Sequence, residues 1–102
     1  MAEAVPVIAR FEATKQFSKS LRHLTAKQQQ KVKATLQTAL DDLNAPLLRV
    51  HALAGAWAGA FSIAAGGDLR IVFDVVAETS QDGSTVAVGV LIMAGTHSQI
   101  YG

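Results

Sequence analysis

Phe61-Ser-Ile-Ala-Ala-Gly-Gly-Asp-Leu-Arg-Ile-Val-Phe-Asp-Val-Val76 decides the fold of this 102-residue chain. Phe61 and Ile63 start a strand, and Gly66-Gly67 is a two-residue hairpin signal. Leu69, Ile71, Phe73 and Val75 then alternate with Arg70, Val72, Asp74 and Val76, the period of two of a second strand. Glu78 to Ser84 is polar and holds Asp82-Gly83, a further turn. Thr85 to Met93 is apolar on both parities, as in a central strand covered on both sides. The three segments predict an antiparallel meander.

Upstream, Val5, Val7, Ala9 and Phe11 alternate with Pro6, Ile8, Arg10 and Glu12, which predicts another half-buried strand. Thr14 offers an N-cap, and Phe17, Leu21 and Leu24 follow at the spacing of one helical face. Thr25 and Gln28 form the pattern of a capping box before a second helix. Its apolar stripe is Val32, Leu36, Leu40 and Leu43, and Asn44 and Pro46 end it. Leu47 to Gly59 has no clear period and two glycines, and reads as a loop. The order strand, helical hairpin, three-strand meander predicts a single α+β domain over residues 1–102, with the helices on one face of the sheet.

Half of the residues are hydrophobic, which permits a real core, and there is no cysteine. Disulfide frameworks and cysteine-ligated zinc are thereby excluded. The first residues lack the basic and apolar regions of a secretory signal, and no stretch reaches the roughly 20 apolar residues of a membrane helix. The expectation is a cytoplasmic protein without membrane contact. Net charge is +1, but residues 1–50 carry +4 and residues 51–102 carry −3. Only the first half could supply the concentrated positive charge that nucleic acid demands.

Lys15, Lys19 and Arg22 repeat along the first helix, with Lys27, Lys31 and Lys33 beyond. They read either as a track for a phosphate backbone or as the solvated face of an amphipathic helix. His51, beside Arg49, is a candidate general base or a loop histidine bonded to a carbonyl. Trp57 reads as a core or rim anchor. Asp68 and Arg70 share a parity and so one face of their strand; they suit acid–base chemistry with charge stabilisation, or a turn cap beside a surface ion pair. His97 follows Gly95-Thr96, and one turn of helix would set its ring beside Tyr101; the alternative is a frayed terminus. No pairing of His with His or Glu suggests a metal, and no Gly-rich phosphate loop or serine elbow occurs.

Three motifs in this order carry a resemblance: His51-x-Leu53-x-Gly55-x-Trp57, Gly67-Asp68-Leu69-Arg70-Ile71-Val72-Phe73, and Gly95-Thr96-His97-x-x-x-Tyr101-Gly102. From the first strand to the last residue the chain resembles the RelE/ParE superfamily of bacterial toxins, most closely its YafQ-like branch. The resemblance implies the toxin of a type II toxin–antitoxin pair, an mRNA interferase that inhibits translation by cutting mRNA on the ribosome. It places His51, Asp68, His97 and Tyr101 at the active site, with Arg70 holding the phosphate charge. Lys15, Lys19, Arg22 and Arg49 would then meet RNA or the ribosome. Neither a metal nor another cofactor is implied, and the partners are a cognate antitoxin, the ribosome and mRNA. Two positions depart from the branch, which usually has a histidine at Ala64 and an arginine at Met93. Met93 argues for a rival, a ParE-like toxin that inhibits gyrase, and His51, His97 and Tyr101 argue against it; a third option is a catalytically inactive module that binds an antitoxin.

Overall fold

The structure, a computed structural model, describes residues 7–101. Its elements run β1 (Ile8–Ala13), α1 (Lys15–Arg22), α2 (Ala26–Asp41), β2 (His51–Ala52), β3 (Phe61–Ala64), β4 (Leu69–Thr79), β5 (Thr85–Thr96) and α3 (His97–Tyr101). One sheet holds all five strands in the order β1-β5-β4-β3-β2. β1 lies parallel to β5, and every other pairing is antiparallel. The α+β class and the meander are as the periodicity predicts.

Caps set the helix starts. The Thr14 Oγ1 accepts from the Phe17 N–H at 3.1 Å and donates to the Leu91 carbonyl at 2.8 Å, so one hydroxyl starts α1 and docks it on β5. Thr25 and Gln28 form the expected reciprocal box, with bonds of 3.0 and 3.1 Å. The helical hairpin covers one face of the sheet. Phe17, Leu24, Val32, Ala39 and Leu43 are buried there against Ile63, Ile71, Phe73 and Leu91. Phe73 is fully buried, stacked on Phe61 and edge-on to Phe11, each at a centroid distance of 5.7 Å. Such pairs add about 0.5–1.5 kcal/mol each beyond the area they bury.

Three expectations change. The stretch read as a loop contains β2, in which His51 pairs with Ser62 and Ala52 with Phe61; two residues are too short to show a period. In β1 a bulge between Ile8 and Arg10 shifts the parity. Ile8 is buried while Val7 and Ala9 are exposed, reversing the alternation expected there. Val5 and Pro6 of that alternation lie outside the described residues. The hairpin before β4 is a three-residue loop, closed by the Ala65 N–H on the Leu69 carbonyl at 2.8 Å. Gly66 and Gly67 carry the positive φ angles (107° and 54°), and Asp68 completes the loop. Asp68 therefore precedes β4 and has no strand parity to share with Arg70.

Ile92 is an extra residue in β5, between the Val72–Met93 and Phe73–Leu91 pairs. The bulge lets Leu91 and Ala94 both face the helices, while Ile92 and Met93 join a smaller cluster on the opposite face with Ala60, Val72 and Ile100. β1 ends opposite Leu91. Beyond it α1 takes over the edge, where the Ser20 hydroxyl accepts the Ala94 N–H at 3.0 Å. This substitutes a side chain for a missing strand.

Gly89 faces Phe11 so closely that a Cβ there would overlap the ring. Gly89→Ala should cost about 1–3 kcal/mol, the usual range for overpacking, read as a lower urea midpoint. In the β4–β5 turn, Asp82 accepts from Ser80 Oγ (2.5 Å), Ser84 Oγ (2.6 Å) and Ser84 N–H (2.9 Å). The hydroxyls of Ser80 and Ser84 hold its carboxyl down to about 2. The lowered value means the turn's contribution is complete above the ordinary Asp range and disappears as pH falls towards 2. An NMR titration of the Ser84 amide should show that midpoint, and Asp82→Asn should remove it.

Candidate functional site

The site lies on the face opposite the helical hairpin, where β4 begins and β5 ends. Pairing through Ser62 and Val72 sets His51, Ser62, Val72 and Met93 in one row across the strands. The next row is Ala64, Arg70 and Gly95. α3 then folds over the end of β5. Thr96 and Gln99 form a second capping box: the Gln99 Oε1 accepts from the Thr96 N–H at 2.8 Å, and the Thr96 Oγ1 from the Gln99 N–H at 3.3 Å. A Cβ on Gly95 would stand 3.0 Å from that Gln99 oxygen, so glycine here gives the cap its room. The His97 N–H donates to the Asp68 carbonyl at 2.9 Å, which ties the new helix to the hairpin loop.

His51, Leu53, Arg70, His97 and Tyr101 line one pocket of about 300 Å³. The rings of His97 and Tyr101 meet with centroids 4.6 Å apart and planes inclined at 56°. Arg70 is half-buried. Its Nη1 donates to the carbonyls of Gly67 at 2.8 Å and Leu69 at 3.0 Å, an anchorage that leaves Nε and Nη2 uncommitted. His51 is exposed on its short strand, with Nδ1 2.9 Å from the Arg49 carbonyl. The pocket thus offers two imidazoles, one guanidinium and one phenol, enough to move protons at an anion and hold its charge. Asp68 is not in the lining; its exposed place in the loop contributes the carbonyl under His97.

The remaining candidates lie outside this pocket. Lys15, Lys19 and Arg22 are exposed along α1, with Lys19 and Arg22 in its last turn. That end approaches α3, since Ser20, His23, Met93, Ala94 and Gln99 line a shallow pocket of about 180 Å³. Arg49 borders a different depression, with Asn44 and Pro46. Among the described residues the ion pairs are those of Arg10 with Glu12 and Glu78, both at 2.7 Å, so no carboxylate neutralises the α1 stripe. A larger groove of about 640 Å³ crosses the far end of the sheet, lined by Val7, Ala9, Val75, Val76 and neighbours. It offers no titratable side chain, so chemistry and not size selects the site. No group of three or more metal-ligating side chains occurs among the described residues. No helix among them is long and apolar enough to cross a membrane.

The Thr96-x-x-Gln99 spacing carries the second cap in the sequence itself. The carbonyls of Arg49, Gly67 and Leu69 have no such signal, because any residue supplies one. Ser62 is also invisible to composition: it is fully buried in the row between His51 and Val72, and its hydroxyl has no partner among the described residues.

The solved structures put this arrangement in context. YafQ from E. coli superposes with a TM-score of 0.67 at 20% identity, over 90% of this chain and 97% of that one. The YoeB/ParE toxin from Agrobacterium tumefaciens gives 0.63 at 19%, over 86% and 98%. The toxin–antitoxin complex RelBE2 from Mycobacterium tuberculosis gives 0.60 at 17%, over 91% and 100%. The chain has the fold of the RelE/ParE-type toxins. No protein-family model and no curated protein sequence matches it, so within this fold the likeness is one of shape. In that RelE/ParE frame Ala64 lies directly across from Arg70, and Met93 is packed in the apolar cluster under α3.

The cap is the part of this site most open to direct test. Thr96→Ala should remove one bond of the box and cost about 0.5–2 kcal/mol locally. His97 and Tyr101 should then lose their mutual ring-current shifts, while the Phe73 signals stay in place.

Proposed function

We propose that this protein is the toxin of a type II toxin–antitoxin pair, acting in the cytoplasm as a ribosome-dependent mRNA endoribonuclease. The observation that carries the reading is the meeting of His51, Arg70, His97 and Tyr101 at one pocket, on a fold shared with YafQ, YoeB/ParE and RelBE2. RelBE2 is a toxin–antitoxin complex, which supports a cognate antitoxin as a partner of this chain.

In the reaction, the ribose 2′-oxygen attacks the adjacent phosphorus in line, and the bond to the 5′-oxygen breaks. The products are a 2′,3′-cyclic phosphate and a 5′-hydroxyl. One histidine takes the 2′ proton and the other protonates the leaving oxygen, each contributing roughly 10²–10⁴-fold. Arg70, anchored through Nη1, presents its other donors to the phosphate oxygens as charge accumulates. Tyr101 orients His97 or stacks on a base. Asp68 holds His97 through its carbonyl. Placement of mRNA in the ribosome supplies much of the positioning, so a sparse site suffices. Lys15, Lys19, Arg22 and Arg49 meet ribosomal RNA, a contact that weakens with salt.

The reading is tested by primer extension on an mRNA incubated with ribosomes and the protein. Codon-phased cuts are expected. His97→Ala should reduce them by about 10²–10⁴-fold, and Arg70→Gln by about 10²–10³-fold. One observation favours a second reading: Met93 puts a thioether in an apolar cluster where the YafQ-like branch usually has a cation. Uncut mRNA together with inhibited gyrase supercoiling would establish the ParE-like alternative. Neither effect, with an antitoxin still bound, would leave an inactive module.

A further inference from the structure

Arg49 is the one residue other than glycine with a positive φ among the described residues, at 47° with ψ 44°. This left-handed conformation is rare for a residue with a long side chain. It follows the 3₁₀ turn Pro46–Leu48, whose end it caps through its own N–H on the Pro46 carbonyl at 3.3 Å. With the backbone in this conformation, the carbonyl of Arg49 stands 2.9 Å from the Nδ1 of its i+2 neighbour, His51.

A carbonyl oxygen only accepts, so a hydrogen bond at that distance requires a proton on Nδ1. In the neutral ring the other nitrogen, Nε2, then carries the lone pair. We infer that Arg49 is a positioning residue whose left-handed backbone fixes His51 in the Nδ1–H tautomer, making Nε2 of His51 the general base at the pocket. The inference rests on the nuclease reading and adds to it the division of labour between the two imidazoles. Nε2 of His51 takes the proton from the 2′-hydroxyl as its oxygen bonds to phosphorus. His97, held at the start of α3 against Tyr101, is left to protonate the 5′-oxygen as its bond to phosphorus breaks. The guanidinium of Arg49 has no part in this device, since the main chain alone makes the contact.

Three substitutions separate backbone from charge. Asn and Gly both accept left-handed φ, whereas the β-branched Val does not; all three delete the guanidinium. Long-range ¹H–¹⁵N spectra of the histidine rings, taken in alkaline solution where imidazole is neutral, report each tautomer directly. The wild-type protein, Arg49→Asn and Arg49→Gly should show His51 as Nδ1–H. Arg49→Val should show it as the mixture of a free imidazole, with His23 and His97 unchanged. In the ribosome cleavage assay the three variants should share any change in KM. Only Arg49→Val should also lose kcat, by about 10²-fold or more. An Nε2–H tautomer in the wild-type protein overturns the inference by itself, even where Arg49→Val does not fold. So does a valine variant that keeps Nδ1–H. If the wild-type protein cuts no mRNA, the base assignment falls with the nuclease reading, while the tautomer spectra still decide whether Arg49 holds the ring.

Discussion

Every peptide group of a strand buried inside a sheet must find a partner on both edges, and β5 is where that demand shapes this molecule. Along its first half β5 has β1 on one side and β4 on the other. Past Leu91 the first strand is gone, and the Ser20 and Thr14 hydroxyls of the α1 segment serve the edge instead. The substitution fixes where α1 lies, and with it the helical hairpin that fills one face. It also frees the chain to leave the sheet at Thr96 and turn into α3 on the opposite face.

The site follows from that asymmetry. One face carries a continuous core of helix and strand side chains, whereas the other has only the short α3 and the turn at Gly55–Trp57 over a small apolar cluster. A sheet face so thinly covered leaves polar side chains at a solvent-reachable pocket while the strands beneath stay rigid. Most of the positioning is done by main-chain groups. Carbonyls of Arg49, Gly67, Leu69 and Asp68 hold, in turn, an imidazole, a guanidinium twice and the first amide of α3. This explains how a pocket with few functional side chains can still be organised.

Where the chain writes its structure in side chains, the sequence is readable. The alternation from Leu69 to Val75, the capping box at Thr25 and the His97–Tyr101 spacing each specify a local geometry that tertiary packing does not override. The misreadings have physical causes. β2 is too short for a period, and its existence depends on pairing with β3. The bulge near Ala9 reverses parity without any residue type to mark it. Asp68 looks like a strand residue because the loop takes three residues where Gly66-Gly67 suggests two. For the site, His51, Arg70, His97 and Tyr101 stand out as isolated polar groups in an apolar half, and the fold gathers them at one pocket. The carbonyls that orient them are beyond any reading of side-chain type.

For the proposed chemistry a phosphodiester must sit in that pocket. The most direct measurement is NMR mapping of the labelled protein with a short single-stranded RNA carrying a 2′-O-methyl group at each ribose, so that it keeps the 2′-oxygen but cannot be cut. Perturbations centred on the rings of His51 and His97 and on the side-chain Nε of Arg70 are the predicted result. Shifts confined to the apolar groove at the far end of the sheet, or to α1 alone, with those three groups unmoved, would contradict it.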